Sequence, residues 1–392
     1  MKLKKWLLRI GLALLGLIVL LVAASGLINL ALPTESTVAD RLGDDEKAHL
    51  AEFFHVRQAL GDAAWSGWGS TDTPVVLYNE AYAFLVGYPD PDPPPGWLKV
   101  PQDDPHGGPW QPVPGDTFQD EVYYRQPLPS SGETPQAFTV KIGDYWAASF
   151  QTKEWMEISL ANQFRRDLPA FARPIFPYTL VTGIFLRGTD GYIAGLAHES
   201  FHAYQGTVAA DRLAAAENSV LLAEASYPWS DDALIAAWQT ELNLLAEALR
   251  AETDAQSAAL AQQFLTQRAQ RRQHAGLSST FITYEKQREW LEGLARYVEL
   301  EIWRQAYETD AYQPFPAVQD NGDFSNYETF PRRWSQEIDQ IGRMADDTGD
   351  GRFYYSGMAQ AVLLDRLAPG WKETAMQDDV FLEELLAAAI DR

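Results

Sequence analysis

The sequence predicts an α+β fold in which a small β-sheet precedes a long helical region. Three observations support this fold class. Segments of alternating β-like residues with turn residues between them lie within 75–150, segments rich in Ala, Leu, Glu and Gln follow from 213 onward, and an uncharged apolar run occupies 10–32. The predicted parts are a cytoplasmic basic stub at 1–9, a transmembrane signal anchor at 10–32, an α+β lobe at 33–210 and a helical lobe at 211–392.

The N-terminal apolar run has about the length of a membrane-spanning helix, which needs about 20 residues. Four basic residues within 1–9 precede it, and this charge predicts a cytoplasmic N-terminus with the remaining chain outside the cytoplasm. A cleaved signal peptide is the alternative, because the small residues at 22–25 are compatible with a cleavage site. Since the apolar run continues through Leu30, we expect a retained single-pass anchor in the cell membrane, whereas cleavage would give a secreted protein.

The composition indicates a folded chain with a sizeable core, because 46% of its 392 residues are hydrophobic and 13 are tryptophan. The net charge of -23 would repel phosphate over most of the surface. We therefore expect no nucleic-acid partner. The sequence has 0 cysteines, which excludes disulfides and thiolate metal ligands.

Short β-like segments, separated by turn residues, make up the predicted sheet. The predicted strands are 75–78, 81–86, 122–125, 137–142, 145–150 and 175–186. The Pro-rich stretch 89–115 cannot continue a helix or a central strand, so we expect a surface connection there. Helical periodicity predicts helices at 36–60 and 153–168.

The pentapeptide His198-Glu199-Ser200-Phe201-His202 has the spacing of a metal-binding helix. Residues i and i+4 project from the same face of an α-helix, so His198 and His202 can direct ring nitrogens at one point. Glu199 lies beside that face, where its carboxylate can reach a metal-activated water without being a ligand. Thr189 or Asp190 can cap the start of this helix. The alternative is a buried helix whose histidines bond to backbone or water.

This pentapeptide resembles the active-site helix of the zincin metallopeptidases. The resemblance implies a catalytic zinc ion, Zn2+, which usually has three protein ligands. The metzincin continuation, which would supply a third histidine, does not follow His202, so we expect the third ligand from another helix. A sheet followed by the zinc-binding helix is also the order of elements in zincin-like N-terminal lobes. An edge strand in such a lobe can bind an extended peptide by strand addition.

We expect Glu292 to be the third ligand, on a helix predicted at 281–307. The residues from Glu292 to Tyr297, Glu-Gly-Leu-Ala-Arg-Tyr, resemble the downstream segment of gluzincins, in which a glutamate completes a His2Glu zinc site. Gly293 favours this choice, because a bare backbone permits close approach of a neighbouring helix or a ligand.

Other glutamates on the predicted helix are rivals for the third ligand position. Glu285, Glu289 and Glu299 lie roughly on the face of Glu292. Glu299, two turns beyond Glu292, is better suited to accept a hydrogen bond from a ligand histidine. The alternative is that the whole segment is a solvent-exposed acidic face of the helix, on which the glutamates pair with Arg288 and Arg296.

Aromatic residues near the C-terminus are candidates for stabilising a developing oxyanion. Tyr354, Tyr355 and Arg352 follow an acidic turn and carry suitable donor groups. Packing in the core is the alternative role of such aromatic pairs. The acidic turn itself is not expected to be an EF-hand, because Gly357 stands where the twelfth loop position requires glutamate.

Together these residues predict a zinc metallopeptidase acting on a peptide or protein substrate. His198, His202 and Glu292 would hold zinc, and Glu199 would act as general base in hydrolysis of the peptide bond. Two alternatives remain: a non-catalytic binding or assembly protein that keeps the zincin fold, and a zinc hydrolase of a non-peptide amide. Glu199 favours an enzyme, because a structural zinc site needs no base.

Overall fold

A computed structural model describes residues 2–101, 104–130, 132–135 and 140–391, with the side chains of the first helix described in part. The fold is α+β, as predicted, and combines one curled sheet of eight strands with many helices. The sheet is formed by residues between 75 and 151, and the described chain after residue 151 is helical or irregular.

The helices extend from the N-terminus to the C-terminus around the sheet. They are α1 (Lys2–Asn29), α2 (Asp44–Ala64), α3 (Lys153–Asp167), α4 (Tyr178–Leu186), α5 (Gly188–Val208), α6 (Ala210–Ala223), α7 (Asp232–Arg250), α8 (Asp254–His274), α9 (Ser279–Arg288), α10 (Leu294–Glu308), α11 (Pro316–Gln319), α12 (Phe330–Ile341), α13 (Gly351–Leu367), α14 (Lys372–Ala375) and α15 (Leu382–Ile390). A 3-10 turn, Glu224–Ser226, follows α6, and a π-helical turn, Glu289–Gly293, joins α9 to α10.

The strands are short, and most neighbours pair antiparallel. They are β1 (Val75–Tyr78), β2 (Tyr82–Val86), β3 (Trp97–Lys99), β4 (Asp104–His106), β5 (Gln111–Pro112), β6 (Tyr124–Pro127), β7 (Val140–Ile142) and β8 (Tyr145–Gln151), in the spatial order β4-β3-β7-β8-β1-β2-β6-β5. The strands predicted at 75–78 and 81–86 are confirmed as β1 and β2, which pair antiparallel with Val76 opposite Leu85. The one parallel pair among these strands is β1 with β8, in which Val75 lies opposite Ala148.

Two predictions about the sheet need adjustment. The Pro-rich stretch 89–115, expected to be a connection, contributes the short strands β3, β4 and β5. Of the strand predicted at 137–142, residues 137–139 lie outside the described residues and the rest forms β7.

The segment predicted as a strand at 175–186 is instead helix α4, so that prediction is wrong. A short apolar run has the same composition in a buried strand and in a half-buried helix, and its periodicity does not separate them. The helix ends at Arg187, which adopts a left-handed conformation with φ of 61°. Helix α5 starts at the next residue, so Thr189 and Asp190 lie in its first turn and do not cap it.

The predicted membrane anchor at 10–32 is wrong. Crossing a bilayer requires a helix of about 20 predominantly apolar residues. Throughout the part of the chain that the structure describes, every helix falls short of the length or the apolar character needed to span a membrane. The predicted single-pass localisation in the cell membrane, and the membrane as a partner, are corrected with it.

Helix α5 packs closely along β8, and two glycines make this approach possible. A β-carbon at Gly195 would lie 2.9 Å from the Phe150 ring, and one at Gly206 would overlap the Trp146 ring. Helices α2 and α10 also contact α5, which surrounds its histidine-bearing segment with buried side chains. Because β8 pairs with β7 on one side and β1 on the other, the strand beside α5 has no free edge.

Candidate metal centre

Three side-chain donors from two separate helical segments meet beside α5. Nε2 of His198 lies 3.1 Å from Nε2 of His202, and Oε2 of Glu292 lies 3.3 Å from each of these nitrogens. The three residues are between 3% and 7% exposed. Buried as it is, this group could hold a metal ion.

The spacing of these donors fits a four-coordinate cation. Ligand bonds of about 2.0–2.1 Å in tetrahedral geometry place neighbouring donors roughly 3.3–3.4 Å apart. The observed separations of 3.1 to 3.3 Å are close to this value. A single cation between the three atoms would bind one lone pair from each of them.

The outer nitrogens of both imidazoles have partners that orient the rings. Nδ1 of His198 lies 3.4 Å from Oε2 of Glu299, and Nδ1 of His202 lies 2.9 Å from Oε1 of Gln205. The Gln205 amide donates to the carbonyl oxygens of Trp290 and Leu291 at 3.1 and 3.3 Å, so its oxygen is directed at the imidazole. In neutral imidazoles that are protonated at Nδ1, the Nε2 lone pairs are directed at the shared point.

Glu292 is positioned by the π-helical turn and by Arg288. Nη2 of Arg288 donates to Oε1 of Glu292 at 2.8 Å, which leaves Oε2 for the histidine side. Arg288 also pairs with Asp350, just before α13. A β-carbon at Gly293 would lie 2.5 Å from Cα of Gly357, so the close approach expected at Gly293 is made by α13. π-Helical turns occur frequently at functional sites.

The other glutamates of this segment have different partners. Glu285 is bound by Arg271 and Arg272, and Glu289 is bound by Arg268. The pairing anticipated by the alternative interpretation does occur, since Arg288 pairs with Glu292 and Arg296 with Glu299. The face is nevertheless buried rather than solvated, because Glu292 is 3% and Glu299 7% exposed.

Burial and charge shift the proton affinities of the group. Burial raises the pKa of Glu292, but Arg288 and the histidines outweigh it and hold this pKa well below its usual value. Burial lowers the pKa of His198, whereas hydrogen bonds with Glu292 and Glu299 raise it to about 10. The pKa of Glu299 is lowered to about 2 because Arg296 and His198 outweigh the effect of burial. Both carboxylates are therefore ionised, and that of Glu292 is available to a cation.

Glu199 is buried beside the histidines and differs from the other carboxylates. Its Oε2 atom is shielded from solvent and has no hydrogen-bond partner among the described residues. Burial raises the pKa of Glu199, although the nearby histidines oppose this shift. A carboxylate with a raised pKa and a free oxygen is suited to accepting and returning a proton.

The aromatic candidates lie in different surroundings. The Tyr354 ring stacks on His198, with centroids 5.7 Å apart and planes 8° from parallel. Burial raises the pKa of Tyr354 well above its usual value, and a hydrogen bond with Glu292 adds to the shift. Tyr355 is instead contacted by the guanidinium of Arg296, which lies over its ring. The guanidinium of Arg352 contacts the rings of Trp229 and Trp238.

Three residues near the site were not singled out from the sequence as part of it. Gln205 lies one helical turn beyond His202, and Arg288 precedes Glu292 by one turn, so helical spacing offered a signal for both. Glu217, on α6, has its pKa raised to about 7 by burial, against the opposing effect of Arg288. It comes from a distant helix, and the sequence offered no signal for its position.

Comparison with known proteins identified no relative of the chain. The chain matches no protein-family model, and searches of curated proteins and of solved structures gave no match.

Proposed function

We propose that the chain is a zinc-dependent hydrolase that cleaves peptide bonds, with the ligand set of a gluzincin. His198, His202 and Glu292 would hold the ion. The observation that carries this proposal is the convergence of their donors at separations of 3.1 to 3.3 Å, next to a buried Glu199 oxygen without a partner. The motif spacing and the donor geometry support the same residues independently.

The donor set favours zinc among the biological cations. Two imidazole nitrogens and one carboxylate oxygen form the set typical of zinc hydrolases, with a fourth position left to water or substrate. Calcium and magnesium prefer all-oxygen sites, and the two histidines at the centre argue against both.

The residues around the ion support a hydrolytic mechanism. Bound zinc would supply a water of lowered pKa and would polarise the substrate carbonyl. Glu199 Oε2 would accept the proton of that water and return it to the leaving nitrogen. The Tyr354 hydroxyl, close to Glu292, would donate a hydrogen bond to the oxyanion that develops on the carbonyl. Glu299 and Gln205 would keep both histidines in the tautomer with a free Nε2.

The state of Glu199 separates this proposal from a non-catalytic metal-binding protein. A structural zinc site is closed by a fourth protein ligand. Among the described residues, the donor group consists of the two histidines and Glu292, without a fourth member. A buried carboxylate without a partner costs free energy unless it acts on a ligand, which favours catalysis.

Hydrolysis of a mixed pool of quenched fluorescent peptides by the zinc-loaded full chain tests this proposal. The Glu199→Gln variant should retain zinc but lose activity by about 10²- to 10⁴-fold, because it removes the proton acceptor. Glu328→Gln, an exposed glutamate outside the site, is the matched control and should keep full activity. Equal rates for the parent and Glu199→Gln would contradict the mechanism. A zinc-loaded parent that cleaves no peptide would contradict the peptidase assignment.

A further inference from the structure

A second cavity, separate from the metal centre, lies between the end of α4 and the helices α12 and α13. It has a volume of about 460 Å³, and its walls include Arg187, Arg333 and Arg343 together with Ile184 and Phe185. None of the three metal-donor residues lines it. Tyr355 contributes to its wall from α13.

The guanidinium groups around this cavity outnumber the carboxylates that neutralise them. The buried carboxylate of Glu337 is shared: Arg296 and Arg333 pair with it, and Nη1 of Arg187 lies 3.7 Å away. Asp339, the other carboxylate of the wall, is paired outward with Arg250. In a chain with a net charge of -23, this local excess of cations is not a consequence of composition.

Two of the arginines retain unused hydrogen-bond donors. The side chain of Arg343 has no hydrogen bond or ion pair with any residue in the described part of the chain. Nε of Arg333 is shielded from solvent and likewise lacks a partner among those residues, although this side chain is only 7% exposed. The buried Nε donor of Arg333 is costly without a partner, so an anion within its reach would stabilise it, and the exposed Arg343 adds positive charge to the same cavity.

Part of the cavity lining is apolar. Ile184 and Phe185 line the cavity and are 66% and 61% exposed. Guanidinium groups beside an apolar surface can bind a carboxylate that is attached to an aliphatic or aromatic group. The carboxylate pairs with the arginines, and the apolar part contacts the apolar side chains.

We propose that this cavity binds a carboxylate carried by an apolar group, such as the C-terminal residue of a peptide that ends in Leu or Phe. Arg343, Arg333 and Arg187 bind the carboxylate, and Ile184 and Phe185 contact the apolar part. The proposal is independent of the metal centre, since it uses none of its donor residues.

Calorimetric titration of the full chain with N-acetylphenylalanine tests the site. The free acid should bind, while its neutral amide and acetate should bind at least about tenfold more weakly, because each lacks one of the two matching parts. Binding of the free acid should be the same with and without EDTA. If the amide binds as well as the acid, if EDTA abolishes binding, or if no binding is seen up to about 10 mM, the proposal is wrong.

Variants then locate the binding site. Arg343→Gln should weaken binding by about tenfold, and it should fold normally because this side chain is exposed. Arg332→Gln is the matched control: it removes the same charge from the same region, but Arg332 is exposed and does not line the cavity. An equal loss of binding in both variants would show a general charge effect and overturn the assignment. Phe185→Ala should also weaken binding, since it removes part of the apolar wall.

Discussion

Two buried groups of glutamates lie along the same helical stretch, from α9 through the π-helical turn to α10. They differ in the side chains that contact them from neighbouring helices. Glu285 and Glu289 face arginines of α8, whereas Glu292 and Glu299 face histidines of α5. Both groups are almost completely buried, so burial alone does not distinguish their roles.

In the arginine-facing group every glutamate is paired with a guanidinium group. Arg271 donates to both oxygens of Glu285 at 2.6 and 2.9 Å and to Glu241 at 2.7 Å. Arg268 binds Glu241, Glu289 and Glu383. Buried carboxylates that are paired with guanidinium groups need no further ligand. The ion pairs of this group also link the helices α7, α8, α9 and α15.

The histidine-facing group is incomplete. Arg288 donates a hydrogen bond to one oxygen of Glu292. The other oxygen lies beside the Nε2 atoms of His198 and His202, and in both rings we expect the proton on Nδ1. With both imidazoles neutral, as metal binding requires, acceptors exceed donors at this point. The two groups therefore differ in their balance of donors and acceptors and not in their number of charges. This balance distinguishes a structural ion-pair network from a candidate metal centre.

The largest expected effect on folding is at the arginine-facing group. Glu285→Gln should lower the free energy of unfolding by about 3–5 kcal/mol, because it leaves Arg271 and Arg272 buried with reduced compensation. Zinc affinity at the histidines should not change. Chemical denaturation and zinc titration of the same variant measure both quantities. A loss of zinc affinity comparable to that of Glu292→Gln would remove the distinction between the two groups.

The corresponding change at the histidine-facing group should affect metal binding first. Glu292→Gln should weaken zinc binding by more than about 100-fold, because a proposed ligand loses its charge. Competition with a chromophoric chelator measures this affinity. Glu328→Gln, on the exposed surface, serves as control. Unchanged affinity in Glu292→Gln would show that this carboxylate is not a ligand.

Smaller effects are expected from the residues that orient the histidines. Glu299→Gln and Gln205→Leu should each weaken zinc binding by about 10- to 100-fold, because the imidazoles lose the partners of their Nδ1 atoms. Zinc content measured across a range of free zinc concentrations distinguishes this partial loss from the loss of a ligand. Affinities equal to that of the parent would contradict the orienting role.

The smallest effect is a pH dependence of stability from Glu285. Burial raises the pKa of this carboxyl, but Arg271 and Arg272 outweigh it and lower the pKa to about 2. A lowered folded-state pKa stabilises the fold above the unfolded value, near 4.5, and this stability is lost as the pH falls toward 2. Between pH 7 and pH 3 the stability difference between the parent and Glu285→Gln should shrink by on the order of 1–2 kcal/mol. A difference that grows on acidification would contradict this assignment of charge.

The sequence was most informative where the chemistry is local. The spacing of His198 and His202 follows from one turn of helix, and the choice of Glu292 rested on a short segment with glycine beside it. The cap of α7 is local in the same sense, because the Asp231 side chain accepts the backbone N–H of Leu234, three residues further on, at 2.8 Å. Such features depend on residues within a few positions of each other.

Features that depend on tertiary contact were not predictable in the same way. The placement of α13 against Gly293, which brings Tyr354 onto His198, requires the packed helices. Tyr354 and Tyr355 are adjacent in sequence, yet the two rings contact different groups. The prediction of a strand at 175–186, where the structure has α4, was wrong because apolar composition does not show which neighbouring element covers the segment.

The most direct test of the account is a crystal structure of the zinc-soaked full chain, with anomalous diffraction recorded at the zinc edge. We predict one ion at about 2.0–2.1 Å from Nε2 of His198, Nε2 of His202 and Oε2 of Glu292. An anomalous peak elsewhere, or no peak between these three atoms at saturating zinc, would contradict the central claim.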